Sequence, residues 1–127
     1  MLDLAEQPED KPVPLDDIAK RQEISKKYLE IIVKFLVKGG FIKGSSGKGG
    51  GYRLLRKPEE YTILDILELT EGSLAPVACL ECDAESCPRE ANCKTLPMWR
   101  RLNTMLQDYF SGITLADILN GNLAEDI

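Results

Sequence analysis

A chain of 127 residues, 43% apolar and 29% charged, has the composition of a water-soluble domain with a modest core, and its formal net charge is −5. No apolar run approaches the roughly 20 residues that cross a bilayer, and no basic-then-apolar leader opens the chain, so a cytoplasmic protein without membrane contact is expected. Histidine is absent, which excludes mixed Cys/His zinc sites, and no activated nucleophile pair or cofactor loop stands in for it, so the chain does not read as an enzyme.

In chain order, Met1-Leu2-Asp3-Leu4-Ala5 is apolar-periodic with no cap ahead of it, like the tail of a helix whose first turns are missing. Residues 7–14 form a polar loop carrying Pro8, Pro12 and Pro14. A short helix is expected over residues 15–22, with Leu15, Ile18 and Ala19 on one side. Glu23-Ile24 breaks it, and Ser25 stands where an N-cap offers its hydroxyl to the free N–H groups of the next helix. Over residues 26–38, Leu29, Ile32 and Leu36 recur at helical spacing, flanked by Tyr28 and Phe35. Gly39-Gly40 closes that helix. Two β-prone runs follow, Phe41-Ile42 and residues 52–55, separated by the turn formers of residues 44–51. Helix, turn, helix and hairpin in this order predict a winged helix-turn-helix.

Beyond the hairpin, Lys57-Pro58 ends the wing, and Thr62 with Asp65 caps a further helix running to Gly72. Residues 79–93 are a cysteine loop without helical period. A long helix runs from Thr95 to Phe110, with Pro97 tolerated in its first turn. A short last helix is capped by Thr114 with Asp117 three residues on, and an acidic tail follows. The expected fold is mainly α with a small β-wing: a winged helix-turn-helix over residues 1–72, a cysteine-rich segment over 73–93, and a long dimerisation helix with a short terminal helix over 94–127.

The charge is unevenly placed. Residues 20–57 hold eleven Lys or Arg against two acids, or +9, while the remainder holds five against nineteen, or −14. A basic block inside an acidic chain is the footprint of a polyanion site, and its coincidence with helix-turn-helix spacing points to double-stranded DNA. Ser25, Lys26, Lys27, Tyr28 and Glu30 are placed on the major groove, and Lys34, Lys38, Lys43, Lys48 and Arg53 are candidates for phosphate. Glu30 has two readings: acceptor from a cytosine amino group, or partner of Lys34 in a helical i,i+4 pair. The glycine-rich loop is not a nucleotide loop, because Ile42 and Gly49 stand where that motif needs Gly and Ser or Thr.

In the long helix, Trp99, Leu102, Leu106, Tyr109 and Ile113 step by 3, 4, 3 and 4, an a/d seam widened by Met98 and Met105. Burial within its own domain is one use for such a seam, and a homodimer interface is the other. Cys79, Cys82, Cys87 and Cys93 lie within fifteen residues, a density that suits a soft metal, either iron–sulfur or four-thiolate zinc. Spacing alone does not separate them, and ordinary thiols remain a third reading.

Together these residues resemble the Rrf-type family of bacterial winged-helix regulators, the IscR, NsrR and CymR kind. The resemblance spans nearly the whole chain. Its marks are Pro12-Val13-Pro14-Leu15 with Ile18-Ala19, Ser25 with Tyr28-Leu29-Glu30, Gly49-Gly50-Gly51-Tyr52-Arg53-Leu54, Cys87 and Cys93 with Trp99, and Gly112-Ile113-Thr114-Leu115-Ala116-Asp117. It implies a homodimer with a crossed long helix and a helical segment ahead of Met1. In cluster-bearing members it implies a 2Fe–2S or 4Fe–4S cluster on Cys79, Cys87 and Cys93, with Cys82 as fourth ligand or spectator, and it implies base reading by Glu30. Leu96 stands where some members carry a histidine ligand, and Ser46 where the wing usually carries Arg. The expected function is a DNA-binding repressor whose affinity follows an iron–sulfur cluster sensing iron–sulfur, redox or nitric oxide status. The alternatives are a metal-independent regulator of cysteine metabolism on the same fold, or a zinc-binding protein-interaction module.

Overall fold

The computed structural model describes residues 1–76, 80 and 93–123. In order, the chain forms α1 (Leu2–Ala5), α2 (Leu15–Gln22), α3 (Lys26–Lys38), β1 (Ile42–Ser45), β2 (Gly51–Leu54), a 3-10 turn (Pro58–Glu60), α4 (Ile63–Glu71), α5 (Leu96–Ser111) and α6 (Leu115–Leu119). It divides into two compact units, Met1–Tyr61 with Thr114–Ile127, and Thr62–Ile113.

In the first unit, α2 ends at Glu23, whose φ of 52° lies in the left-handed region. A residue with a Cβ bears roughly 1–2 kcal/mol there, held in place by the turn it makes. Ile24 N–H bonds Ala19 C=O at 3.1 Å, and α3 opens immediately with Tyr28 N–H donating to Ser25 Oγ at 3.4 Å. The expected cap and both helix spans are therefore present. The core side of α3 is Leu29, Val33 and Leu36, whereas helical spacing in the sequence puts Ile32 there. Both sets satisfy a 3.6-residue period; the α3 rotation buries Val33 and leaves Ile32 half-buried.

The hairpin pairs Ile42 with Leu54, Lys43 with Arg53, Gly44 with Tyr52 and Ser45 with Gly51. Both strands thus differ from the expected runs, and Phe41 packs in the core ahead of β1. On the other edge of β2, Val13 and Tyr52 exchange N–H to C=O bonds of 2.8 and 2.9 Å. The proline loop is therefore tied to the free edge of β2 by a single antiparallel bridge.

Behind the wing, Tyr61 is wholly buried. Its hydroxyl donates to Phe41 C=O and accepts from Leu55 N–H at 3.2 Å and Arg56 N–H at 3.0 Å. Its ring meets Phe41 edge-on at 5.5 Å, and the Arg56 guanidinium lies 5.3 Å from both rings. Leu115 N–H bonds Tyr61 C=O at 2.9 Å, fixing α6, whose Thr114 and Asp117 form the expected reciprocal capping box.

Asp3, 5% exposed, is the one buried acid among the described residues of this unit. It accepts from Arg21 Nε at 3.0 Å, Arg21 Nη2 at 2.7 Å and Gln22 Nε2 at 2.9 Å. Those Arg21 hydrogen bonds, acting against burial, hold its carboxyl below the usual value. A depressed folded-state pKa stabilises above the unfolded value, about 3.9, and that contribution is lost as pH falls through the folded value. The stability gap between the natural chain and Asp3→Asn should therefore be widest near neutrality and shrink below about pH 4. Urea titrations at both pH values measure it, and a gap independent of pH would contradict the role given to Asp3.

In the second unit, Thr62 Oγ1 accepts from Asp65 N–H at 3.1 Å to cap α4, and Ile63 N–H bonds Ile113 C=O at 2.8 Å. Here α4 packs along α5. On α5, Trp99, Asn103, Leu106 and Phe110 are half-buried, as is Ile113 just beyond it, while Met98, Leu102, Met105 and Tyr109 are exposed.

Candidate nucleic-acid interface

The outward face of α3 follows from its core face. At about 100° per residue, the side opposite Leu29, Val33 and Leu36 carries Lys27, Ile31, Lys34 and Lys38, with Phe35 beside them, and all five are exposed. Tyr28 is 59% exposed, so it lies on the surface. Glu30 is exposed, and among the described residues it makes no ion pair with Lys34 within 4.0 Å. The helical-pair reading of Glu30 is therefore not realised, and its carboxylate faces solvent. Ser25 Oγ spends an acceptor site on the α3 cap and retains its proton for a further partner.

Lys26 is engaged already. Its Nζ lies 2.9 Å from Asp16 Oδ1 of α2, and that hydrogen bond, with the attraction of the same carboxylate, raises the ammonium's pKa. Both side chains are more than half exposed, so the pair adds little to stability, but it cancels one positive charge at the start of α3. Asp16→Asn should leave the melting temperature unchanged while tightening binding to duplexes of any sequence a few-fold and steepening the salt slope by about one. Parallel anisotropy titrations of the two proteins check it; equal slopes would show that the Lys26 charge lies away from the duplex.

Lys34 and Lys38 also line a shallow groove with Val33, Val37, Gly44 and Tyr52, between α3 and the hairpin. The Tyr52 ring lies over Gly44, where a Cβ would sit 3.1 Å from Cε1 and press on the ring. Strand alternation sends Lys43 and Arg53, paired across the ladder, to the opposite face of the hairpin from Tyr52. Like charges directly opposite are mildly unfavourable, a cost relieved by a nearby anion. Arg53 in turn borders a cleft of about 390 Å³ with Lys11, Arg56 and Lys57, and no motif in the sequence marks Arg56 as part of a site. Lys48 is exposed in the hairpin loop. The structure thus gathers Lys27, Lys34 and Lys38 on one face and sets Lys43 and Arg53 on another.

A family profile described as "Rrf2: Iron-dependent Transcriptional regulator" matches residues 1–121. The chain belongs to the Rrf2 family. It is 39% identical over 121 residues to protein rrf2 of Nitratidesulfovibrio vulgaris, covering 94% of this chain and 79% of that one. It is 34% identical over 127 residues to the HTH-type transcriptional regulator IscR of Aliivibrio salmonicida, covering 100% of this chain and 74% of that one. Among solved structures it is similar to CymR, the global cysteine regulator of B. subtilis, with a TM-score of 0.74 at 31% identity over 94% of this chain and 86% of that one. T. potens IscR gives 0.73 at 29% identity over 98% and 84%. Winged-helix architecture and a place among IscR- and CymR-like transcriptional regulators are thereby established for this Rrf2-family chain.

Two expected features of this regulator lie elsewhere. Cys79, Cys82 and Cys87 fall outside the described residues. Cys93 is described: half-buried just ahead of α5, its Sγ lies 3.5 Å from Thr95 Oγ1. Among the described residues no three Cys, Asp or Glu side chains are grouped to hold a metal. The expected seam on α5 is split, with Leu102 and Tyr109 joining Met98 and Met105 on the exposed stripe and Trp99, Leu106 and Ile113 on the half-buried side. No helix among the described residues is long and apolar enough to cross a membrane.

Proposed function

We propose that this Rrf2-family regulator is a cytoplasmic homodimer that binds double-stranded DNA by laying α3 in the major groove. The observation that carries this reading is the outward face of α3, where Lys27, Lys34 and Lys38 stand exposed together. Ser25, Lys26, Lys27, Tyr28 and Glu30 then address the bases, and Lys34, Lys38, Lys43, Lys48 and Arg53 address phosphates. Glu30, exposed and outside any ion pair among the described residues, is suited to accept from a cytosine amino group. The exposed stripe of Met98, Leu102, Met105 and Tyr109 supports an α5 seam between two copies, which would set two reading helices on two half-sites. Lys34→Ala should weaken binding to all duplexes alike and reduce the salt slope by about one; an unchanged slope would remove Lys34 from the phosphate contacts.

In the same reading, Cys79, Cys87 and Cys93 hold an iron–sulfur cluster, with Cys82 as a fourth thiol within reach in sequence. Four thiols within fifteen residues and no histidine form a donor set of the right softness. Cys93 lies two residues ahead of Thr95, the N-cap of α5, with its Sγ 3.5 Å from Thr95 Oγ1. A bound cluster supplies iron chemistry responsive to oxidants and nitric oxide, and a coupling of about 5–150-fold in DNA affinity is the usual size of such a switch. Anaerobically purified protein should absorb in the visible and contain iron and sulfide; a colourless protein with zinc would defeat the cluster. The likeness to CymR favours a second reading, a metal-independent regulator of cysteine metabolism. DNA affinity unchanged by Cys87→Ala with Cys93→Ala would select it.

A further inference from the structure

The outward face of α3 carries more than charge. Ile31 is 54% exposed and Phe35 53% exposed, and Ile31 lies at its middle, with Lys27 one turn before it, Lys34 next to it and Lys38 two turns on. Neither side chain serves the core, which α3 reaches through Leu29, Val33 and Leu36. An apolar protein surface closing over Ile31 would desolvate those lysines without partners, a prohibitive cost. A duplex instead neutralises the lysines with phosphate and offers one apolar group on the major-groove floor, the C5-methyl of thymine. Ile31 is the sixth residue of α3, within the first two turns from which recognition helices reach base edges. Phe35 follows one turn later on the same side.

We propose that Ile31, supported by Phe35, is a specificity-determining residue that reads a thymine methyl in each half-site. This rests on the DNA-binding reading above and names what one part of that surface recognises. An apolar contact to the C5-methyl separates thymine from cytosine and from uracil, which lack it.

The test begins with duplexes retained by the full chain from a random-sequence library. The retained sites should share a thymine per half-site, and deoxyuridine at that position should weaken binding about fourfold, the worth of one buried methyl. Ile31→Ala, an exposed substitution, should keep its fold by circular dichroism. It should lose the discrimination between thymine and deoxyuridine. Deoxyuridine tolerated at every thymine, or discrimination surviving in Ile31→Ala, would overturn the proposal while leaving DNA binding intact. A change in oligomeric state of Ile31→Ala by sedimentation, with discrimination unchanged, would also overturn it and assign the face to a second copy. A library from which nothing is retained at low salt would overturn the DNA-binding reading itself.

Discussion

Tyr61→Phe is expected to lower the stability of the protein by about 2–3 kcal/mol. The substitution keeps the ring, its burial and its edge contact with Phe41, so the loss isolates one hydroxyl. That hydroxyl serves three main-chain groups, Phe41 C=O, Leu55 N–H and Arg56 N–H. Leu55 N–H retains a bond to Phe41 C=O at 3.3 Å, but Arg56 N–H loses its bond to the hydroxyl and Phe41 C=O loses the shorter of its two. Each partner stranded away from water costs roughly 1–3 kcal/mol. Urea unfolding, compared at equal m-value, measures the change. A loss under about 0.5 kcal/mol would mean that water replaces the hydroxyl and that the Tyr61 site is wetter than its burial indicates.

Gly51→Ala should cost a similar amount, about 2–4 kcal/mol, by a different route. A Cβ at that position would lie 2.3 Å from both the C and O atoms of Val13 and 2.7 Å from Pro14 N. These are main-chain atoms, so relief requires drawing the proline loop away from β2 and sacrificing the two bonds between Val13 and Tyr52. Gly47→Ala is the control. Its φ of +88° is unsuited to alanine, yet nothing lies within 4 Å of the added carbon, so only the conformational cost of about 1 kcal/mol is expected. Equal losses from the two variants, read from the same unfolding curves, would show that the close approach at Gly51 is not rigid.

The elements legible in the sequence are those written in local chemistry. Ser25 ahead of α3, the Gly39-Gly40 pair after it, and the Thr114 and Asp117 box on α6 each announce an end within a few residues, and the structure has them. What the sequence conceals is decided by partners far along the chain. Val33 and Ile32 satisfy the same helical period as third member of the core stripe, and only the packing of α3 chooses Val33. Val13, between two prolines, gives no strand signal, yet it pairs with Tyr52 because the loop is drawn against β2. Tyr61 stands alone between Glu60 and Thr62 without periodic neighbours, and its role exists only once Phe41 and Leu55 converge on it.

The site divides in the same way. Residue types on α3 were enough to mark it as a polyanion face, because the charge of one short helix is nearly all on its solvent side. The wing needed its register: Lys43 and Arg53 share a face only because they are paired across the ladder, and a shift of one residue would have sent Arg53 to the α3 side. The apolar centre of the α3 face was hidden for another reason. Ile31 and Phe35 look like core residues until the helix rotation is known, and in the fold they are exposed.

The most direct test is the anisotropy of labelled genomic duplex fragments titrated with the full chain across ionic strength, with the protein reduced and oxidised. Retention at low salt that falls linearly on a logarithmic salt axis, with a slope of several phosphates per head, is the predicted result. Fragments left unbound at every ionic strength and in both redox states would contradict the assignment of α3 to DNA.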